Sequence, residues 1–223
     1  GPGVSHDYLE SLGDLADERP VVFYAQLGCG RSDRPGDLSL WTVERYVEEI
    51  HQIREGLNLE KVHILGQSWG TPLAVEYLLT RRPGGVSSLL LSGPMLSASR
   101  WVADQRAHIS ALPDRIREAI ETCEASGDFL SPHYQDAMME FYKAHVCRLE
   151  DWPACLNRSF ETINPAIYAH MWGPSEFTVT GSLKNYDCVD RLKDIQCPVL
   201  FTCGAYDEAN PETTRFYQSQ LPD

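Results

Sequence analysis

Residues 61–79 read KVHILGQSWGTPLAVEYLL and decide how the chain folds. The first five are rich in β-branched and large apolar side chains, which is typical of a strand. After Thr71 the apolar residues recur three and four positions apart, which predicts a helix. Between them lies the pattern Gly-x-Ser-x-Gly, as Gly66-Gln67-Ser68-Trp69-Gly70. A strand, a glycine-bracketed serine and a helix in this order predict a sharp turn that exposes the serine hydroxyl at the carboxyl edge of a sheet.

Ser68 is therefore a candidate nucleophile. Glycine at positions 66 and 70 keeps Cβ atoms out of a crowded turn. A helix that starts at the serine also presents unpaired backbone N–H groups and a partial positive charge to a developing oxyanion. The alternative is an ordinary strand-to-helix turn that happens to hold a serine. The strand and helix on either side favour the nucleophile.

The rest of the chain predicts a mostly parallel α/β sheet, because strand and helix patterns alternate around this turn. The predicted strands are 20–25, 61–65, 86–91 and 198–204, and the predicted helices are 43–57 with Thr42 as cap, 71–81, and one that starts at Pro211. From 97 to 173 the spacing is helical, with breaks at proline and glycine and no convincing strand. We expect two units, an incomplete core of residues 1–96 and 174–223, and an inserted helical cap of residues 97–173.

Composition narrows the class of protein. The chain has 223 residues, 43% of them hydrophobic, and no apolar run near the roughly 20 residues that span a bilayer. A formal net charge of −13 argues against nucleic-acid or anionic-membrane partners. Seven cysteines without a C-x-x-C spacing suggest neither a disulfide framework nor a zinc site. We expect a soluble protein in a reducing, cytoplasmic compartment.

Serine catalysis also requires a histidine base and a carboxylate that orients it. Asp207, three residues after Gly204 at the end of the last predicted strand, is the candidate acid; a surface loop carboxylate is the alternative. All seven histidines precede it, at positions 6, 51, 63, 108, 133, 145 and 170. Either the sequence is part of a longer protein, with the base beyond Asp223, or the protein is not a hydrolase of this kind. The loop-like beginning and the ending just after a helix favour the first, and the 223 residues alone are then expected to be inactive.

Five segments in order resemble the prolyl aminopeptidase (proline iminopeptidase) family of α/β-hydrolases, and in detail its tricorn-interacting aminopeptidase branch. They are the tail of an H-G-G-P-G loop at 1–9, a Y-D-Q-x-G-x-G-x-S segment at 23–32, the turn at 66–70, a G-P-N-E-F segment at 173–177 and a G-x-x-D-E loop at 204–208. The chain departs from this pattern at Ala25, Gln67 and Thr71. These departures bear on substrate preference more than on the reaction.

The resemblance implies an α/β-hydrolase fold and a serine exopeptidase that releases an N-terminal residue, preferentially proline, from short peptides. It implies no metal or organic cofactor and names short peptides with a free N-terminus as partners, while the oligomeric state stays open. The implied roles are nucleophile for Ser68, triad acid for Asp207, oxyanion-hole N–H donors for Gly1 and Trp69, and ligands of the substrate amine for Glu176 and Glu208. Two carboxylates near a serine suit an ammonium group and disfavour blocked peptides.

Other readings stay open from the sequence. An amino-acid amidase or esterase needs the same amine and serine, and a non-catalytic binding protein of this fold would account for the missing histidine. Trp172 and Phe177 flank Glu176 and either shape a small apolar pocket for the substrate side chain or pack in the core.

Overall fold

A computed structural model describes residues 1–222. Within that range the strands are β1 (Val62–Gln67), β2 (Val86–Ser92) and β3 (Val199–Thr202), and the helices are α1 (Val43–Gly56), α2 (Gly70–Glu76), α3 (Ala98–Ser110), α4 (Asp114–Ser126), α5 (Pro132–His145), α6 (Ala154–Glu161), α7 (Pro165–Met171) and α8 (Pro211–Ser219). Short 3-10 segments cover Asp7–Asp17, Leu38–Leu40, Ser182–Asn185 and Val189–Asp194. None of the described helices combines the length and apolarity needed to cross a membrane.

The three strands form one parallel sheet in the order β1-β2-β3. Strand β2 is central: its Leu90 is paired with Leu65 on one side and with Leu200 on the other. Leu89 and Leu91 of this strand are completely buried. Because all three strands run the same way, the loops that follow them meet at one edge of the sheet. That edge holds Ser68, Gly93 and Asp207.

The elements around the turn agree with the sequence. Thr42 caps α1 by accepting a hydrogen bond from the Arg45 N–H at 3.2 Å, and the helix ends at Gly56. Helix α2 stops at Glu76, but the chain continues to Arg81 as a π-helical turn, so the predicted end of the helical segment is correct. Helix α8 begins at Pro211, as predicted.

The predicted strand at 20–25 is wrong. These residues are not part of the sheet, and no backbone hydrogen bond joins them to a strand within residues 1–222. Val21, Val22 and Phe23 have high β-propensity, but propensity makes a strand only where a neighbouring strand accepts its hydrogen bonds. Val22 is 46% exposed, so this segment is also not buried as a core strand would be.

Helices α3 to α7, which we call the cap helices, occupy residues 98–171 without a strand among them. They have a hydrophobic cluster of their own, in which Ile120, Tyr134 and Phe141 are completely buried. Phe177 belongs to this cluster, so the segment that carries Glu176 packs against the cap helices. The division of the chain into a core and a cap domain stays a prediction.

Candidate active site

Ser68 occupies a strained turn between β1 and α2. Its φ is +48°, a left-handed conformation that costs a non-glycine residue energy and is found where tertiary structure enforces it. Its N–H donates to the Ser92 carbonyl at 2.9 Å, and its carbonyl accepts from the Thr71 N–H at 2.8 Å. A Cβ on Gly66 would overlap the Gly70 carbonyl, which explains the glycine there. The predicted turn is confirmed, and Ser68 is only half-buried.

Two departures from the family pattern, Gln67 and Thr71, make hydrogen bonds at this turn. The Thr71 hydroxyl donates to the Ser68 carbonyl at 2.7 Å and accepts from the Met95 N–H at 3.0 Å, so it ties the turn to the segment after β2. The Gln67 carbonyl oxygen Oε1 accepts a hydrogen bond of 2.5 Å from the hydroxyl of Tyr8. Thr71 therefore holds the backbone of the turn, and Gln67 links its side chain to Tyr8.

Asp207 lies in the loop after β3, at the same edge of the sheet. Its Oδ2 accepts from the Gly204 N–H at 3.1 Å and its Oδ1 from the Ala209 N–H at 2.9 Å. Gly93 separates it from the serine turn: a Cβ on Gly93 would lie 3.3 Å from Gln67 Nε2 and 3.8 Å from each Asp207 carboxylate oxygen. The structure thus brings the turn of Ser68 and the candidate acid together.

Glu176 and Glu208 form an acidic cluster with Asp207. Burial raises the pKa of the Glu208 carboxyl well above its ordinary value, and the negative charges of Glu176 and Asp207 raise it further. Glu208 Oε1 is buried and has no hydrogen-bond partner within the described residues. The side chain of Glu176 is 15% exposed, and its Oε1 lies 3.8 Å from the Gly1 nitrogen. A buried carboxyl without a partner beside two others is suited to receive a cation.

This acidic cluster makes stability depend on pH. Folding raises the pKa of Glu208, so the folded protein keeps this proton where the unfolded chain, with a pKa near 4.5, has lost it. The contribution of Glu208 to the free energy of unfolding therefore falls as pH rises from about 4.5 toward the folded pKa. We expect Glu208→Gln, which cannot ionise, to be more stable than the unsubstituted protein at about pH 8 and to lose this advantage near pH 4. Urea unfolding at both pH values measures this, and a difference independent of pH would contradict it.

The two candidate oxyanion donors, Trp69 and Gly1, come from different parts of the chain. Trp69 follows Ser68 directly and is buried; its indole N–H donates to Gln26 Oε1 at 3.2 Å. Gly1 lies beside Glu176, and its loop is held by the Asn164 N–H, which donates to the Gly3 carbonyl at 2.9 Å. Their role as N–H donors stays a prediction.

Three tyrosines around Glu176 were not found from the sequence. The Tyr142 hydroxyl accepts a hydrogen bond from the Glu176 N–H at 3.2 Å. Burial raises the pKa of Tyr8 and of Tyr168, and in both the charge of Glu176 adds to the effect. The Tyr168 ring also packs on Gly1, where a Cβ would lie 3.1 Å from its Cδ2. No motif marks these residues, because they reach Glu176 only through the tertiary fold.

Trp172 and Phe177 are packing residues in this structure. Phe177 is completely buried, and its ring centroid is 4.8 Å from that of Phe141. Trp172 is 3% exposed, and its indole N–H donates to the Glu176 carbonyl at 3.3 Å. Core packing is thus the reading that the structure favours for both.

Two histidines, His108 and His145, lie next to the loop that carries Asp207. The rings of His108 and His145 are 4.2 Å apart, and His145 Nδ1 is 2.9 Å from the Tyr206 carbonyl oxygen. Burial lowers the pKa of His108, and the neighbouring His145 lowers it further. Within residues 1–222 no histidine is hydrogen-bonded to the Ser68 hydroxyl or to the Asp207 carboxylate.

Comparison with known proteins identifies the family of this chain. A family model for the alpha/beta hydrolase fold matches residues 1–223, and the chain belongs to that family. It is 51% identical over 223 residues to the proline iminopeptidase of Heyndrickxia coagulans, covering 100% of this chain and 77% of that protein. The resemblance to the proline iminopeptidase family that the five segments carry is thereby confirmed.

Solved structures give the same result for the fold. The proline iminopeptidase of Mycobacterium smegmatis is similar with a TM-score of 0.90 and 36% identity, over 99% of this chain and 76% of that chain. The crystal structure of VinJ is similar with a TM-score of 0.94 and 33% identity, over the same shares of the two chains. The predicted α/β-hydrolase fold is confirmed.

Proposed function

We propose that this protein is a serine exopeptidase that releases the N-terminal residue, preferentially proline, from short peptides. The observation that carries the proposal is the buried, unpartnered carboxyl of Glu208, which adjoins Asp207 and lies close to Glu176, at the sheet edge that also holds Ser68. The proposal is supported by relatives that align with the whole of this chain and are named proline iminopeptidases.

The proposed reaction begins at Ser68. Its Oγ attacks the first peptide carbonyl and loses its proton to a histidine base, which Asp207 orients. The backbone N–H groups of Gly1 and Trp69 stabilise the oxyanion. The C–N bond breaks, the leaving amine takes the proton from the histidine, and water then hydrolyses the ester on Ser68. We assign the base to none of the seven histidines in residues 1–222, since none contacts either side chain of this pair through a hydrogen bond.

Glu176 and Glu208 would determine where the peptide is cut. A protonated proline amine has two N–H donors, which matches two carboxylates. A bound ammonium offsets the cost of burying these charges, whereas a blocked N-terminus would leave them buried and unpaired. Such a site accepts only the first residue of a peptide, so the enzyme acts as an exopeptidase.

The test compares two substrates that differ only at the amine. The intact protein is expected to release p-nitroaniline from proline-p-nitroanilide and to act at least about 100-fold more slowly on N-acetylproline-p-nitroanilide, which cannot pair with the carboxylates. Equal rates would remove the amine site from the mechanism. No turnover of either, by protein that is folded, would favour the non-catalytic binding protein. Faster turnover of proline amide than of proline dipeptides would favour the amidase.

We further propose a reducing, cytoplasmic location, in keeping with seven cysteines that are all unpaired thiols. Short peptides with a free N-terminus are the proposed partners. The net charge of −13 supports the prediction that nucleic acids and anionic membranes are not.

A further inference from the structure

One face of helix α3 contacts both loops that carry the amine-binding carboxylates. The Trp101 indole N–H donates to the Glu176 carbonyl at 2.8 Å, and Gln105 Nε2 donates to the Glu208 carbonyl at 2.9 Å. Residues four apart lie on the same side of a helix, so both bonds leave α3 from one face. The helix therefore touches the main chain of both candidate amine ligands.

Trp101 and Gln105 anchor the two loops, and Gln105 does so with a buried polar side chain. Its side chain is completely buried, and its Oε1 has no hydrogen-bond partner within the described residues. Burying a carboxamide with half of its hydrogen-bonding capacity unused is costly. The hydrogen bond to the Glu208 carbonyl is the one hydrogen bond that the Gln105 side chain makes within the described residues. It joins two residues that are 103 positions apart in the sequence.

Glu208 has reason to need such an anchor. It lies in an irregular loop after β3. In this loop the Asp207 carboxylate accepts hydrogen bonds from the Gly204 and Ala209 N–H groups. His145 Nδ1 lies 2.9 Å from the Tyr206 carbonyl oxygen. The bonds to the carboxylate fix Asp207, while the Glu208 carbonyl accepts a hydrogen bond from Gln105. His108, on the same helix as Gln105, also contacts the backbone of this loop. The backbone of Glu208 is thus held from the cap side.

We propose that Gln105 is a positioning residue for recognition of the substrate amine, acting by fixing the main chain of Glu208. The inference rests on the proposed function, in which Glu208 binds the N-terminal ammonium. Gln105 itself does not touch the substrate. Loss of its bond lets the Glu208 carboxylate move away from the amine position while Ser68 and its turn stay intact.

Gln105→Met in the intact protein is the main test, because methionine keeps the volume and removes the donor. We expect the KM for proline-p-nitroanilide to rise by about 10-fold with kcat nearly unchanged, the result of losing binding that ground state and transition state share. Hydrolysis of p-nitrophenyl acetate, which has no amine, should stay the same. A KM equal to that of the unsubstituted protein, or equal losses on both substrates, would overturn the proposal.

Gln135→Met is the matched control. Gln135 also lies on a cap helix and donates its Nε2 to a backbone carbonyl, that of Phe129, at 2.7 Å. It serves a loop between α4 and α5 and not an amine ligand. It should lose a comparable amount of stability and leave the KM for proline-p-nitroanilide unchanged. A rise in KM equal to that of Gln105→Met would assign the effect to general loosening of the cap helices.

Gln105→Glu keeps the test decisive even if the methionine variant does not fold. A carboxyl introduced at this buried position can donate its O–H to the Glu208 carbonyl while protonated, and it becomes a repelling charge when it ionises. The ratio of its KM to that of the unsubstituted protein should be near one at low pH and rise with pH. A ratio that does not change with pH would contradict positioning through this bond. Turnover by the unsubstituted protein decides the proposed function separately, in the same assay.

Discussion

Ser68→Ala is expected to lower kcat for proline-p-nitroanilide by about 10⁴-fold or more, because removing the nucleophile of a serine triad abolishes the acyl-enzyme route. At the carboxyl edge of the described sheet, Ser68 is the only non-glycine residue with a positive φ, at +48°. Gly93 lies between its turn and the loop that carries Asp207. The same change should abolish covalent labelling of the intact protein by a serine-directed phosphonate, as mass spectrometry would show.

Ser126→Ala provides the control for that experiment. Ser126 is exposed at the end of α4, where its hydroxyl donates to the Thr122 carbonyl at 3.0 Å. Labelling and turnover should both survive its loss. If Ser68→Ala, with an unchanged melting temperature, kept more than about a hundredth of the activity, a nucleophile other than Ser68 would be required.

Glu208→Gln is expected to lower kcat/KM for proline-p-nitroanilide by about 100-fold or more, since removing one partner of a buried ion pair leaves the other charge uncompensated. The side chain keeps its shape, so the loss reports the charge. Steady-state kinetics on the free and the N-acetylated substrate should show the preference for a free amine shrinking by a similar factor. The gain in stability at alkaline pH expected for this variant would accompany the loss of activity, which is the trade-off typical of functional sites.

Glu121→Gln separates this effect from a general change of charge. Glu121 is an exposed glutamate on cap helix α4, so its substitution changes the net charge equally without touching the site. It should leave both substrates unaffected. If Glu208→Gln lowered hydrolysis of p-nitrophenyl acetate as much as that of the anilide, Glu208 would support the catalytic machinery as a whole and not the amine.

The fold was predictable where local pattern and tertiary context agree. The turn at Ser68, the cap of α1 at Thr42 and the start of α8 at Pro211 are determined by residues within a few positions of each other. The strand at 20–25 failed because a strand is defined by its neighbour, which local sequence does not contain. The helical cap region was predictable because its periodicity is long and unbroken by strand patterns.

In the candidate site, only the residues that lie in recognisable sequence motifs were predictable. Ser68, Asp207, Glu176 and Glu208 lie in short segments with a recognisable order. Gln105 and Trp101 contact those segments across 103 and 75 residues. Neither they nor the tyrosines around Glu176 follow a spacing rule, because burial and long-range geometry alone give them their partners. Their hydrogen bonds can be read only from the fold.

Helix α3 links the two loops that carry the proposed amine ligands. Its two anchors at 101 and 105 are four residues apart, which fixes their separation along the axis at about 6 Å. In the proposed function, the distance between the two loops that carry Glu176 and Glu208 is thereby set by the geometry of a helix and not by the substrate. Inserting a single residue between these anchors would turn one of them by about 100° away from its loop. If Glu176 and Glu208 bind the substrate amine as proposed, the register of α3 helps to determine which N-terminus fits, although the helix contributes no ligand of its own.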